Sequence, residues 1–140
     1  MDFYDRKQEL ARLHEIQKRS RKNAQFTVVT GRRRIGKTQL LIEAGKNHTT
    51  LYFFVARKAE SFLCQDFLVE IKEKLDIPVL GEVNTFAELF KFLMELSKSK
   101  TFTLIIDEFQ EFYTVAPAIY SEMQHLWDVN KKDSKINLIV

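Results

Sequence analysis

Phe26-Thr27-Val28-Val29-Thr30-Gly31-Arg32-Arg33-Arg34-Ile35-Gly36-Lys37-Thr38-Gln39 is the stretch on which the fold turns. Its first five residues are a β-branched, apolar run that reads as a buried strand, and the segment from Lys37 to about Lys46, with Leu40, Leu41 and Ala44 on one face, reads as a helix. Between them, Gly31 to Thr38 fits G-x-x-x-x-G-K-[ST] at every fixed position. A loop of this spacing folds back so that successive N–H groups point at an anion, and its glycines permit the backbone angles and the close approach. The helix that follows adds the partial positive charge of its amino end. The chemistry predicted is phosphate binding by Gly31, Ile35, Gly36, Lys37, Thr38 and Gln39, with Lys37 on the β- and γ-phosphates and the Thr38 hydroxyl on Mg²⁺. Arg32, Arg33 and Arg34 either join the nucleotide-binding set or point to solvent.

Outward from this loop, strands and helices alternate. Asp5 can cap a helix carrying Leu10, Leu13 and Ile16; Leu51 to Val55 is a strand; a helix from about Ala59 to Leu75 spaces Leu63, Phe67, Ile71 and Leu75 by four. Thr85-Phe86-Ala87-Glu88 has the form of a capping box opening a helix with Leu89, Phe90, Leu93, Met94 and Leu96. Phe102 to Ile106 is the third strand, a helix from about Pro117 to Asn130 follows, and Ile136 to Val140 begins a fourth strand. Strands joined by helical crossovers give a mostly parallel sheet covered on both faces, a three-layer α/β class.

The third strand ends in Leu104-Ile105-Ile106-Asp107-Glu108. An apolar parallel strand ending in Asp sets that carboxylate beside the phosphate loop, where Asp107 is expected to hold Mg²⁺ together with Thr38, and Glu108 to orient and deprotonate an attacking water. The expected catalytic residues are thus Glu108 and Lys37, and the expected metal-binding residues are Thr38 and Asp107. The string Asp107-Glu108-Phe109-Gln110 lacks the glycine of a switch GTPase's D-x-x-G. Asn130-Lys131-Lys132-Asp133 does match the guanine-reading N-K-x-D, but it follows a helix and precedes a strand, which puts it at the wrong edge of the sheet and makes it a polar turn.

Composition agrees with a folded domain: of 140 residues 45% are hydrophobic and 29% charged, with 12 Phe, 4 Tyr and 1 Trp against only four Gly and two Pro, which excludes disorder and collagen-like repeats. One cysteine, Cys64, excludes an internal disulfide and a cysteine zinc site, and reads as a small core hydrophobe. No apolar run approaches the ~20 residues that cross a bilayer, and the expected location is cytoplasmic. The net charge of +3 divides into ten Lys/Arg against four Asp/Glu over residues 1–34 and twelve against fifteen thereafter, with no arginine after Arg57. Lys18-Arg19-Ser20-Arg21-Lys22 reads as a solvated helix end or a nucleic-acid patch, and His48 and His125 as surface or partly packed residues.

The opening Phe3-Tyr4-Asp5-Arg6-Lys7-Gln8-Glu9-Leu10, the loop at 31–38, Leu51-Tyr52-Phe53 and Leu104 to Gln110 together resemble the archaeal-type ATPases, a P-loop group of the AAA+/STAND kind. Lys7 stands where that family usually has Glu. The resemblance implies a P-loop NTPase fold with ATP and Mg²⁺ as ligands, the segment Phe3 to Leu10 near the adenine, and an ATP-driven switch or motor, sometimes with nucleic-acid-associated domains downstream. It also implies a sheet of order 5-1-4-3-2, so the order expected here is 1-4-3-2. Residues 1–140 would then be the amino-terminal portion of the ATP-binding domain, cut at the fourth strand without the fifth strand, the arginine finger or the helical lid. On that expectation hydrolysis by these residues alone is weak, and the bare edge at 26–30 favours self-association. The alternative reading is a nucleotide-gated binding module with little hydrolysis.

Overall fold

The computed structural model describes residues 7–29, 36–78 and 81–140. In chain order the elements are α1 (Lys7–Ser20), β1 (Gln25–Thr27), α2 (Lys37–Ala44), β2 (Thr50–Phe54), α3 (Glu60–Leu75), α4 (Phe86–Leu96), β3 (Phe102–Asp107), a 3-10 turn (Phe109–Glu111), α5 (Phe112–Val115), α6 (Ile119–Asn130) and β4 (Ile136–Ile139). The four strands form one parallel sheet in the order β1-β4-β3-β2, the order that the family resemblance implies. Asp5, the proposed cap of α1, lies outside the described residues, as do the rest of the segment Phe3 to Arg6, Thr30 and the loop residues Gly31 to Ile35.

Two apolar clusters form because side chains alternate across each strand. Leu51, Phe53, Leu104, Ile106, Ile136 and Leu138 face α3, α4 and α6, whereas Ile105 and Ile139 face Leu13 of α1 and Leu40, Leu41 and Ala44 of α2. The larger cluster is built on aromatic rings. Phe53 stacks on Phe67 with centroids 4.2 Å apart, and Phe86 meets both rings edge-on at 6.3 and 5.7 Å. Phe112 closes the cluster against Phe86 at 4.9 Å. Cys64 is buried in the same layer, and burial first, then the charges of Glu60 and Glu88, push its thiol up to about 12.

Helix ends follow their sequence signals in part. Thr85 Oγ1 accepts the Glu88 N–H at 3.3 Å, and the Phe86 N–H is met by Glu60 Oε2 at 2.8 Å, so a carboxylate on α3 completes the cap of α4. Asp76 adopts a left-handed conformation and ends α3.

Three expectations need correction. β1 is shorter than the run 26–30 and is not buried: Phe26 is 48% and Val28 59% exposed. It is the outer strand, paired on one side by β4, and Phe26 covers its face by an edge-on contact with Trp127 at 5.5 Å. Pairing does continue past Thr27, since Val29 N–H donates to Val140 O at 2.8 Å. The helix expected from Pro117 begins at Ile119, and the 3-10 turn and α5 before it were not anticipated. On α1 the buried stripe includes Gln17 and Ser20 besides Leu13, so its inner face is partly polar.

Because Phe86 lies fully buried among four other rings, Phe86→Ala should lower stability by about 3–5 kcal/mol in urea denaturation; a loss under 1 kcal/mol would contradict this core assignment.

Candidate active site

All four strands run parallel, so their carboxyl ends share one edge of the sheet, where open α/β sheets bind ligands. β3 ends there at Asp107, which is only 5% exposed. The register pairs Tyr52 with Ile105, and strand alternation puts Tyr52, Ile105 and Asp107 on the face covered by α1 and α2.

Gly36 precedes α2 with φ 77° and ψ 20°, a left-handed conformation that a glycine adopts without steric cost. Lys37 and Thr38 therefore form the first turn of α2, directly over the end of β3. Thr38 Oγ1 donates to Asp107 Oδ2 at 3.0 Å across 69 residues of sequence. The same oxygen accepts the Tyr52 hydroxyl, and Asp107 Oδ1 accepts the Glu108 N–H at 3.0 Å. The carboxylate is thus held by donors from α2, β2 and the chain just beyond β3. The first turn of α2 carries no acidic residue and no side-chain cap, so its N–H donors and the positive end of its dipole face the same edge. Lys37 and Thr38 are half-buried there, and Gln39 is exposed.

Glu108 has φ 57° and ψ 39°, which is unusual for a residue with a Cβ and turns the chain sharply out of the sheet. Gln110 Nε2 donates to Glu108 Oε2 at 2.7 Å. The turn is anchored from α6, where the Tyr120 hydroxyl donates to the carbonyls of Phe109 and Gln110 at 3.1 Å each. Arg57, in the loop after β2, donates from Nε to Glu111 Oε2 at 2.7 Å and joins that loop to the same turn. The matching N-K-x-D string lies elsewhere: Asn130 ends α6, and its carbonyl accepts the N–H groups of Asp133 and Ser134 before β4 begins, at the sheet edge opposite Asp107. His48 is half-buried and His125 exposed.

A family model described as an ATPase domain predominantly from Archaea matches residues 3–140. The chain belongs to this family. An uncharacterized protein of Methanocaldococcus jannaschii is 30% identical over 141 residues, an alignment that covers 99% of this chain and 29% of that protein. The chain thus spans under a third of that relative's length. Among the described residues of this ATPase domain no helix is long and apolar enough to cross a membrane.

Within the domain, Thr38, Asp107 and Glu108 come together as the sequence spacing anticipated, with Lys37 beside Thr38 at the start of α2. Gly31, Arg32, Arg33, Arg34 and Ile35 lie outside the described residues. Tyr52 was not singled out from the sequence as a site residue; the available signal was a phenol two residues before the end of a strand otherwise apolar from Leu51 to Phe54.

Burial, then the hydrogen bond to Asp107 and the charge of that carboxylate, push the Tyr52 phenol well above its ordinary value of 10.0. A raised folded-state value means a contribution to stability that is complete below pH 10 and is lost as pH rises further. Absorbance titration of the wild type minus Tyr52→Phe should show the missing phenol ionising clearly above pH 10; a difference curve centred on 10 would contradict the Asp107 contact.

Proposed function

We propose that this domain binds ATP with Mg²⁺ at the carboxyl edge of the sheet and, within the whole protein, hydrolyses it to drive a conformational change. The observation that carries the reading is the bond between Thr38 and Asp107 at the uncapped amino end of α2. It joins the last residue of the sequence motif for phosphate binding to the acidic strand end, as a shared cation site requires. In this reading residues 1–140 are the amino-terminal portion of an ATP-binding domain.

The donor set fits magnesium. One hydroxyl and one carboxylate are too few to enclose a cation alone, and the described residues hold no group of three or more His, Cys, Asp or Glu. Magnesium characteristically keeps several waters and uses one or two carboxylates plus substrate phosphates. When bound, it would neutralise charge on the β- and γ-phosphates. In this reading Gly31 to Gln39 surround the phosphates with N–H donors, and Arg32, Arg33 and Arg34 add positive potential. Lys37 stabilises charge on the transferred phosphoryl group, and Thr38 with Asp107 holds the cation. Glu108, oriented by Gln110, accepts a proton from the attacking water.

Mg-ATP at about 100 times its Kd should stabilise the wild type by about 2.7 kcal/mol in thermal unfolding, and Lys37→Ala should abolish the shift. Glu108→Gln should retain the shift and lose about 10²–10⁴-fold in hydrolysis measured in the whole protein. An unchanged melting temperature for the wild type at millimolar Mg-ATP would overturn the nucleotide assignment. Hydrolysis unaffected in Glu108→Gln would remove Glu108 from its role.

A further inference from the structure

Tyr52 lies on a different strand from Asp107 and belongs to neither motif, yet its hydroxyl reaches Asp107 Oδ2, the oxygen that also accepts Thr38 Oγ1. The residue is held at its backbone and at its hydroxyl. The Tyr52 N–H projects from the outer edge of β2 and donates to Glu70 Oε2 of α3 at 2.8 Å, while the phenol reaches across the sheet face to β3. A carboxylate offers about four lone-pair positions. Three are filled here: two on Oδ2 by Thr38 and Tyr52, and one on Oδ1 by the Glu108 N–H. Among the described residues, one position on Oδ1 is left for an incoming donor, such as a water on a hydrated cation.

We infer that Tyr52 is a positioning residue for the cation site: its hydroxyl fixes the rotation of the Asp107 carboxylate so that one lone pair of Oδ1 is presented to the hydrated Mg²⁺ that accompanies the nucleotide. The inference rests on the proposed Mg-ATP binding. Without the phenol, the Thr38 hydroxyl on Oδ2 and the Glu108 N–H on Oδ1 remain, and Oδ2 gains an open lone pair that competes with Oδ1 for the incoming water. The phenol supplies a second donor to Oδ2, from β2, and fills that oxygen. Groups that hold a metal-binding carboxylate through hydrogen bonds commonly change metal affinity by 10–100-fold when removed. Packing alone would make the ring, and not the hydroxyl, the part that matters.

Tyr52→Phe keeps the ring and removes the hydroxyl. Fluorescent ATP-analogue binding, followed against Mg²⁺ concentration and separately in EDTA, distinguishes the possibilities. Expected is a rise of about tenfold in the Mg²⁺ concentration for half-saturation, with EDTA affinity within twofold of the wild type. In an Asp107→Asn background, adding Tyr52→Phe should change the Mg²⁺ dependence no further. An unchanged Mg²⁺ requirement in Tyr52→Phe overturns the inference and leaves nucleotide binding standing. Equal weakening with and without Mg²⁺ also overturns it, by assigning Tyr52 a purely structural part. A wild type that binds no analogue under either condition overturns the nucleotide reading and this inference with it.

Discussion

Thr38 opens α2 on one side of the sheet and Asp107 closes β3 within it, and the hydrogen bond between them spans 69 residues of chain. It forms only if α2 leaves its loop at the right angle, which the left-handed Gly36 sets, and only if β3 ends level with the first turn of α2. Most of the remaining architecture serves that alignment. Parallel pairing of β3 with both β2 and β4 fixes where β3 ends, and the small cluster of Leu13, Leu40, Leu41, Ala44, Ile105 and Ile139 seats α2 on the sheet just below the contact.

The opposite face has a different task. Its core of stacked and edge-on phenylalanines carries most of the apolar burial and holds α3, α4 and α6 against the sheet. That layer reaches the site at three points: Tyr120 of α6 anchors the carbonyls of Phe109 and Gln110, Glu70 of α3 ties down the Tyr52 N–H, and Phe112 plugs the short helix after the acidic turn into the core. Rigidity is thereby passed from the aromatic core to the strained backbone of Glu108, a conformation that persists because its surroundings dictate it.

Much of this was legible in the sequence because it depends on local pattern. The run ending at Asp107-Glu108, the glycine before Lys37 and the spacing of four on α3 each act within a few residues, and the parallel α/β class follows from alternating elements, whereas the order of the strands came from the family resemblance. What escaped depends on partners distant in sequence. Tyr52 reaches Asp107 only through the pairing register of β2 with β3, which no window along the chain contains. The apolar run 26–30 looks like a buried strand, but burial is decided by neighbours, and β1 has β4 on one side only among the described residues. Gln17 and Ser20 hid the inner face of α1, whose stripe is half polar. The 3-10 turn and α5 are too short for periodicity to mark, although Phe109 and Phe112 stand three apart.

The polar link of α2 to β3 through the Thr38–Asp107 contact is tested most directly by a double-mutant cycle on Thr38→Val and Asp107→Ala, read by urea denaturation of the ligand-free protein. A coupling of about 1 kcal/mol or more is expected for a hydrogen bond to a charged, buried acceptor. Effects that add to within about 0.3 kcal/mol would contradict the contact as the link between the two halves of the site.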